Sequence, residues 1–289
     1  MLNNKLANYS HTNFRIKVIF FVSFCFIFTL FYAAKPVFAL PSISAASAVA
    51  IDGETGAVLY QKNAFQLRAP ASTTKILTAI LAIESGRLEE VVTVSKNAAA
   101  VGEASLHLRA FDQLVLRELV HGALIKSGND ACVAIAEHLA PSEEEFVGLM
   151  NFKAQLLGAY NTTFYNTNGL PHPAHLTTAY DLVLMARYAL QNPIFSKIVA
   201  TKEYTMKWTN PPKLVFIKNT NRLLWSFSAI TGVKTGTTVQ AGKCLVASAK
   251  YEQQQIIVVV LNSFDRYGDA QKLIEYGIKT KEIQSYAER

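Results

Sequence analysis

The sequence predicts an α+β fold: an antiparallel five-stranded sheet flanked by helices, with the helical middle of the chain forming its own subdomain. Short apolar runs bounded by turn residues stand near both ends of the chain, joined in pairs by tight turns. Between them the apolar residues recur near every 3.6 positions, the spacing of helices with one buried face. Strands supplied from both ends close one sheet when the first hairpin pairs with the last strands, which leaves the middle to pack as a separate lobe with a cleft against the sheet.

The elements follow in chain order. Lys5, Arg15 and Lys17 precede an apolar run from Val18 to Ala34, and Val37-Phe38-Ala39 follows with the small-x-small pattern of a processing site. Residues 1–39 are therefore expected to be an export signal cleaved after Ala39, and residues 40–289 the folded domain. At about 17 residues the apolar run also reaches the lower limit for spanning a bilayer, so an uncleaved N-terminal anchor stays open as the one route to membrane contact. Ser47 to Ile51 and Ala57 to Tyr60, around Asp52-Gly53-Glu54-Thr55-Gly56, make the first hairpin. Helical spacing then runs over Thr74 to Ser85, Leu114 to Ile125, Asp130 to Leu139, Glu143 to Leu157 and Ala179 to Gln191. The run Ala229 to Thr238 and the hairpin Gly242 to Lys250 with Gln255 to Asn262 supply three more strands, and Asp269 to Ile278 is a final amphipathic helix. Pro211-Pro212 reads as a turn inside the domain, not a boundary.

Of 289 residues, 51% are hydrophobic and 17% charged, which excludes an intrinsically disordered chain. The net charge of +7 is spread along the sequence with no basic and aromatic interleaving, so nucleic acid is excluded as the expected partner; an anionic envelope or a carboxylate substrate suits it better. Cys132 and Cys244 each lie in an apolar stretch and read as small core residues.

Three motifs carry chemistry. In Ser72-Thr73-Thr74-Lys75 the serine stands at the first turn of a helix with the lysine one turn on, where a desolvated ammonium would lose its proton easily enough to take one from the hydroxyl. Ser-x-x-Lys alone is also the pattern of a capping serine with a surface lysine. Ser127-Gly128-Asn129 falls on a tight connection at the lobe surface before a new helix. There Ser127 would pass a proton and the Asn129 amide would hold a substrate peptide group, or the segment simply caps that helix. In Lys234-Thr235-Gly236 the glycine would let a ligand backbone approach a strand edge while lysine and threonine hold a carboxylate; an edge strand with a solvated lysine is the plain alternative. His172-Pro173-Ala174-His175 is not expected to bind metal, because Pro171 and Pro173 break the helix that would align the imidazoles. Arg266 either orients a substrate carboxylate or pairs with Asp265 or Asp269.

In this order the motifs resemble the serine penicillin-binding proteins and β-lactamases. The wider segments Ala71 to Ala79, Ile125 to Ala131, Asn166 to Leu170, Thr177 to Leu182, Asn219 to Asn221 and Gly232 to Thr238 through Ala241-Gly242 are similar to the low-molecular-mass D-alanyl-D-alanine carboxypeptidases. The resemblance implies a β-lactamase/DD-peptidase-like fold. It also implies a serine carboxypeptidase that removes the terminal D-alanine from peptidoglycan stem peptides through a Ser72 acyl-enzyme, inhibited covalently by β-lactams, needing no metal or organic cofactor. It assigns Ser72 as nucleophile, Lys75 as base, Ser127 as proton relay and Asn129 as amide contact. Lys234 and Thr235 would bind the carboxylate, with the N–H groups of Ser72 and Thr237 as oxyanion hole. Thr237 stands where some relatives carry histidine. The further β-rich domain and C-terminal anchor of many members are not expected after Tyr276-Gly277. A β-lactamase on the same scaffold and a non-catalytic β-lactam or wall sensor are the rivals. The first lacks a Glu-x-x-Leu-Asn-like segment between Asn129 and Lys234, and all catalytic residue types are present against the second.

Overall fold

The computed structural model describes residues 39–287, with side chains to residue 283, so the basic and apolar N-terminal run lies outside the described residues. The hairpin of β1 (Ser47–Asp52) and β2 (Val58–Lys62) opens the fold, and a 3-10 turn over Ala71–Thr74 runs directly into α1 (Lys75–Glu84). β3 (Val91–Thr93), α2 (Lys96–Ala100) and β4 (Gln113–Val115) lead to α3 (Leu116–His121), whose end widens into a π turn over Gly122–Lys126. α4 (Asn129–Leu139), α5 (Glu143–Leu156), α6 (Ala179–Gln191) and α7 (Pro193–Ala200) follow, then a hairpin of β5 (Glu203–Trp208) and β6 (Lys213–Lys218). The short α8 (Leu223–Ser226) precedes β7 (Ile230–Thr238), β8 (Gly242–Tyr251), β9 (Gln254–Ser263) and α9 (Arg266–Ala287).

The main sheet is five-stranded and antiparallel in the order β2-β1-β9-β8-β7, as the terminal strand runs predict. The chain ends meet through β1 on β9, from Ser47 opposite Leu261 to Asp52 opposite Ile256. Its inner strands are mainly apolar along their middles because both faces are covered there. Side chains alternate across a strand, so Val49, Ile51, Val246, Ile257 and Val259 join the core of the helical lobe. Their neighbours Ala48, Ala50, Leu245, Val258 and Val260 pack under Ala270, Leu273 and Ile274 of α9. Each such valine, leucine or isoleucine stabilises the fold by about 1.5–3 kcal/mol.

Helix starts are written in local chemistry. Ser142 Oγ accepts from the Glu145 N–H at 3.1 Å, Thr178 Oγ1 from Asp181 N–H at 3.0 Å, and Asn192 Oδ1 from Ile194 N–H at 2.9 Å with Pro193 in the first turn.

Several elements differ from the expectation. The stretch 114–125 is not one helix: its first residues pair as β4 with β3, and the π turn ends it. α7 and the β5–β6 hairpin are additional, and Pro211-Pro212 forms the turn of that hairpin. β5 alternates with Glu203, Thr205 and Lys207 outward, but β6 turns Leu214 and Phe216 outward beside Lys218, which spoils the polar and apolar alternation that marks a half-buried strand. α9 runs well past Ile278. Cys132 and Cys244 are buried free thiols, pushed up to about 12 and about 11 by desolvation. Among the described residues no helix is long and apolar enough to cross a membrane.

Candidate active site

Ser72 stands in the 3-10 turn rather than in the regular helix that follows. Three residues per turn eclipse positions i and i+3, so Lys75, the first residue of α1, lies directly against the serine. Its side chain is 0% exposed. Nζ donates to Ser72 Oγ at 2.9 Å, to Asn129 Oδ1 at 2.7 Å and to the Asn168 carbonyl at 2.6 Å. All three acceptors are neutral. Desolvation therefore lowers the ammonium to about 8, opposed by charge on Cys132, Asp130 and Glu103. Because the Cys132 thiol is itself pushed up to about 12, it is neutral near pH 7, and the two carboxylates are the effective anions. Asp130 is buried and accepts from Ser105 Oγ and the Leu106, Leu108 and Ala131 N–H groups, which ties the 105–108 loop to α4.

Ser127 is not at the lobe surface as expected. The π turn carries it inward to 7% exposure with a left-handed φ of 70°, and Lys234 Nζ donates to its Oγ at 2.9 Å. The Lys234 ammonium also reaches the Thr235 carbonyl at 3.0 Å and is 1% exposed, which removes the solvated-lysine alternative. Burial, then repulsion from Lys75 and Arg266, holds Lys234 well below its ordinary value. Its partners are a hydroxyl and a carbonyl, so the protonated form lacks a counter-anion, and a bound carboxylate would supply one and favour the charge.

Asn129 ties Lys75 to the loop at Gly102. Its Oδ1 accepts from Lys75, and its Nδ2 donates to the Gly102 carbonyl at 3.0 Å, leaving one amide hydrogen for a ligand. Thr235 Oγ1 lies 2.7 Å from Thr220 Oγ1. Arg266 makes no ion pair with Asp265 or Asp269: its Nη1 donates to Thr237 Oγ1 at 2.7 Å and to the Gly236 carbonyl at 2.8 Å. Asp269 is occupied by Ser44, Ala45 and Ser263.

Gly236 has a packing role beyond the one read from its motif. A Cβ there would sit 2.9 Å from Ser72 N and 3.0 Å from Ala71 Cβ, so this glycine admits the protein's own serine turn against edge strand β7, not only a ligand backbone. Gly169 does the same from the other side: its φ is +88°, and a Cβ would fall 1.9 Å from the Ala71 carbonyl oxygen. Motif reading gave no role to Gly169, Asn168 or Thr220. The adjacent polar residues of Asn166-Thr167-Asn168-Gly169 were the available signal for a backbone acceptor at a tight turn.

His172 and His175 lie in a loop, and their imidazoles have other work. His172 stacks on Tyr165 at 4.0 Å between centroids. His175 is buried and lowered to about 4, first by desolvation and then by His172, so it is neutral. Its Nδ1 accepts from the Tyr165 N–H at 3.2 Å, which assigns the proton to Nε2 for donation to Thr74 Oγ1 at 2.9 Å. Thr74 in turn donates to the Ala71 carbonyl at 2.9 Å, so the loop braces the residue preceding Ser72.

With this geometry in view, comparison with known proteins gives a consistent answer. The sequence signature of peptidase S11, D-alanyl-D-alanine carboxypeptidase, matches residues 33–265. The chain is 38% identical over 253 residues to the D-alanyl-D-alanine carboxypeptidase DacF of Bacillus subtilis, covering 85% of this chain and 65% of that protein. It is 37% identical over 264 residues to DacC of Escherichia coli, covering 86% and 64%. It thus spans just under two thirds of these relatives' length. Among solved structures it is similar to the Streptomyces K15 DD-transpeptidase, at a TM-score of 0.80 and 34% identity, covering 84% of this chain and 100% of that one. The sheet, the buried lysines and these matches agree, and the chain belongs to the peptidase S11 family of D-alanyl-D-alanine carboxypeptidases.

Proposed function

We propose that this chain removes the terminal D-alanine from peptidoglycan stem peptides through an acyl-enzyme on Ser72. The observation that carries the reading is the fully buried Lys75 donating to Ser72 Oγ at 2.9 Å with its ammonium lowered to about 8. Near pH 7 about a tenth of such a lysine is neutral, enough to accept the serine proton as Oγ adds to the D-alanyl carbonyl. Ser127, held by Lys234, relays a proton to the departing D-alanine amine. Asn129 contacts the substrate amide, while Lys234 and Thr235 receive the terminal carboxylate. The N–H groups of Ser72 and Thr237 stabilise the oxyanion, Gly236 keeps the strand close to Ser72, and water then releases the acyl group. β-Lactams acylate the same serine. Labelling with a fluorescent penicillin, followed by an assay of D-alanine release, tests this. Ser72→Ala should lose both, and an adduct that persists in that variant would overturn the assignment.

The missing counter-anion of Lys234 makes the substrate carboxylate matter. Amidating the terminal D-alanine of a model peptide is expected to cost on the order of 2–4 kcal/mol in kcat/KM, the scale of a lost charge-assisted contact. Lys234→Ala should blunt the difference. Equal turnover of acid and amide peptides would remove Lys234 and Thr235 from the carboxylate role.

We also infer that the working enzyme lies outside the cytoplasmic membrane, a reading that the family membership supports. Lys5, Arg15 and Lys17 ahead of the apolar run support export, with cleavage after Ala39. N-terminal sequencing of protein from the native envelope fraction should find Leu40 first. Retention of Met1 with release only by detergent would instead mean an N-terminally anchored enzyme.

A further inference from the structure

Beside the carboxylate pair, a cavity of about 530 Å³ opens between the 219–222 loop and the start of α9. Two of its wall residues touch the motif strand: Thr220 Oγ1 meets Thr235 Oγ1 at 2.7 Å, and Arg266 donates to Thr237 Oγ1 at 2.7 Å. The cavity is therefore one residue removed from the place proposed for the substrate's terminal carboxylate, with Thr220 and Arg266 shared between the two.

Its walls are cationic. Arg222, Lys243 and Arg266 face it, against the single acid Asp265, whose Oδ1 already accepts the Gly268 N–H at 3.1 Å. Lys243 Nζ donates only to the Phe264 carbonyl at 3.0 Å. The exposed Arg222 guanidinium has no hydrogen-bond or ion-pair partner among the described residues. The Phe264 ring is 87% exposed at the mouth and offers apolar cover.

A leaving D-alanine uses none of this. Its carboxylate would end at Lys234 and Thr235, and its methyl group is too short to reach across and fill a cavity of that size. We propose that the cavity is a subsite for the side chain of a leaving amino acid that bears a second carboxylate, with Arg222 and Lys243 as the cations that receive it and Phe264 covering its methylenes. The inference rests on Ser72 being the acylated residue. The covalent step is unchanged: the Ser72 Oγ–carbonyl bond forms, the C–N bond breaks, and the hydroxyl proton ends on the departing amine. Only the preferred amine differs, and any amine that leaves through this subsite can return through it to the acyl-enzyme.

The test compares two peptides identical except for ending in D-Ala-D-Ala or D-Ala-D-Glu, with kcat/KM read as release of the last residue. In wild type the D-glutamate peptide should be turned over at least as well as the D-alanine peptide. The double variant Arg222→Ala, Lys243→Ala should lose about tenfold or more on the D-glutamate peptide while staying within about twofold on the other, as expected for loss of a directed charge contact. Arg222→Glu should shift preference toward a peptide ending in D-lysine. Fluorescent penicillin labelling of each variant at the wild-type rate reports an intact fold and an intact Ser72. Equal losses on both peptides, no loss on either, or no turnover of the D-glutamate peptide by wild type would overturn the subsite while leaving the D-alanine reading in place. Absence of D-alanine release from the first peptide would overturn that reading and the subsite with it.

Discussion

Replacing Lys75 by arginine is expected to slow acylation of Ser72 by a β-lactam by about 10²- to 10⁴-fold, the range of lost general-base catalysis. The charge stays, but a guanidinium does not release its proton near neutral pH. Lys75 is placed to do so because its three acceptors, Ser72 Oγ, Asn129 Oδ1 and the Asn168 carbonyl, are all neutral, and burial lowers it to about 8. Lys75→Met, which carries no charge and fits an unbranched channel, should be as slow, which separates loss of the base from crowding by the larger arginine. The wild-type rate should rise as pH increases toward and through about 8, where Lys75 gives up its proton, and both variants should lose that limb. Stability supplies an independent sign. Between about 8 and the ordinary 10.5 the unfolded chain holds a proton at Lys75 that the folded chain has released. The contribution of this residue to stability therefore rises with pH across that window, and thermal melts of wild type minus Lys75→Met should show the slope. Mass spectrometry of the intact protein gives the rates; an arginine variant within about tenfold of wild type, roughly 1.4 kcal/mol, would make Lys75 an electrostatic helper only.

Much of this arrangement was legible in the sequence because local chemistry and long-range packing point the same way. The apolar terminal runs predicted a single five-stranded sheet, and β1 on β9 joins the two ends as expected. The three motifs converge: Lys75 reaches Ser72 and Asn129, and Lys234 reaches Ser127. What could not be read was backbone shape. The inward, left-handed placement of Ser127 depends on the π turn at Gly122–Lys126, and hydrophobic periodicity cannot tell such a turn from another turn of α-helix. The sequence leaves Arg266 two roles, because proximity to Asp265 and Asp269 says nothing about which way a guanidinium turns. Only the fold brings it to Gly236 and Thr237. The brace from Tyr165 through His175 and Thr74 to Ala71 was equally hidden, since it joins segments about a hundred positions apart.

Gly169→Ala is expected to destabilise the protein by about 2–5 kcal/mol, summing a left-handed backbone penalty of about 1–2 kcal/mol with an overpacking cost of about 1–3 kcal/mol. Its φ of +88° favours glycine, and the added Cβ would lie 1.9 Å from the Ala71 carbonyl oxygen and 2.9 Å from Ser72 N. No side chain can rotate away to make room, because the obstruction is backbone on both sides: Gly236 closes on the same turn from β7, with its own Cβ position 2.9 Å from Ser72 N. Either the serine turn or the Asn166–Leu170 loop must move. Movement of the loop also carries away the Asn168 carbonyl that accepts from Lys75 at 2.6 Å. Acylation should therefore fall by about a hundredfold even in the fraction that folds, the scale of an ångström's misplacement at a reacting centre. Gly86→Ala is the matched control, with a φ of +71° but nothing within 4 Å of the new methyl. It should cost only about 1–2 kcal/mol of backbone strain and leave acylation unchanged. Urea unfolding with labelling rates measured on both variants decides the matter: if Gly169→Ala behaves like Gly86→Ala in stability and in rate, the glycine is not what holds Ser72 against Lys75.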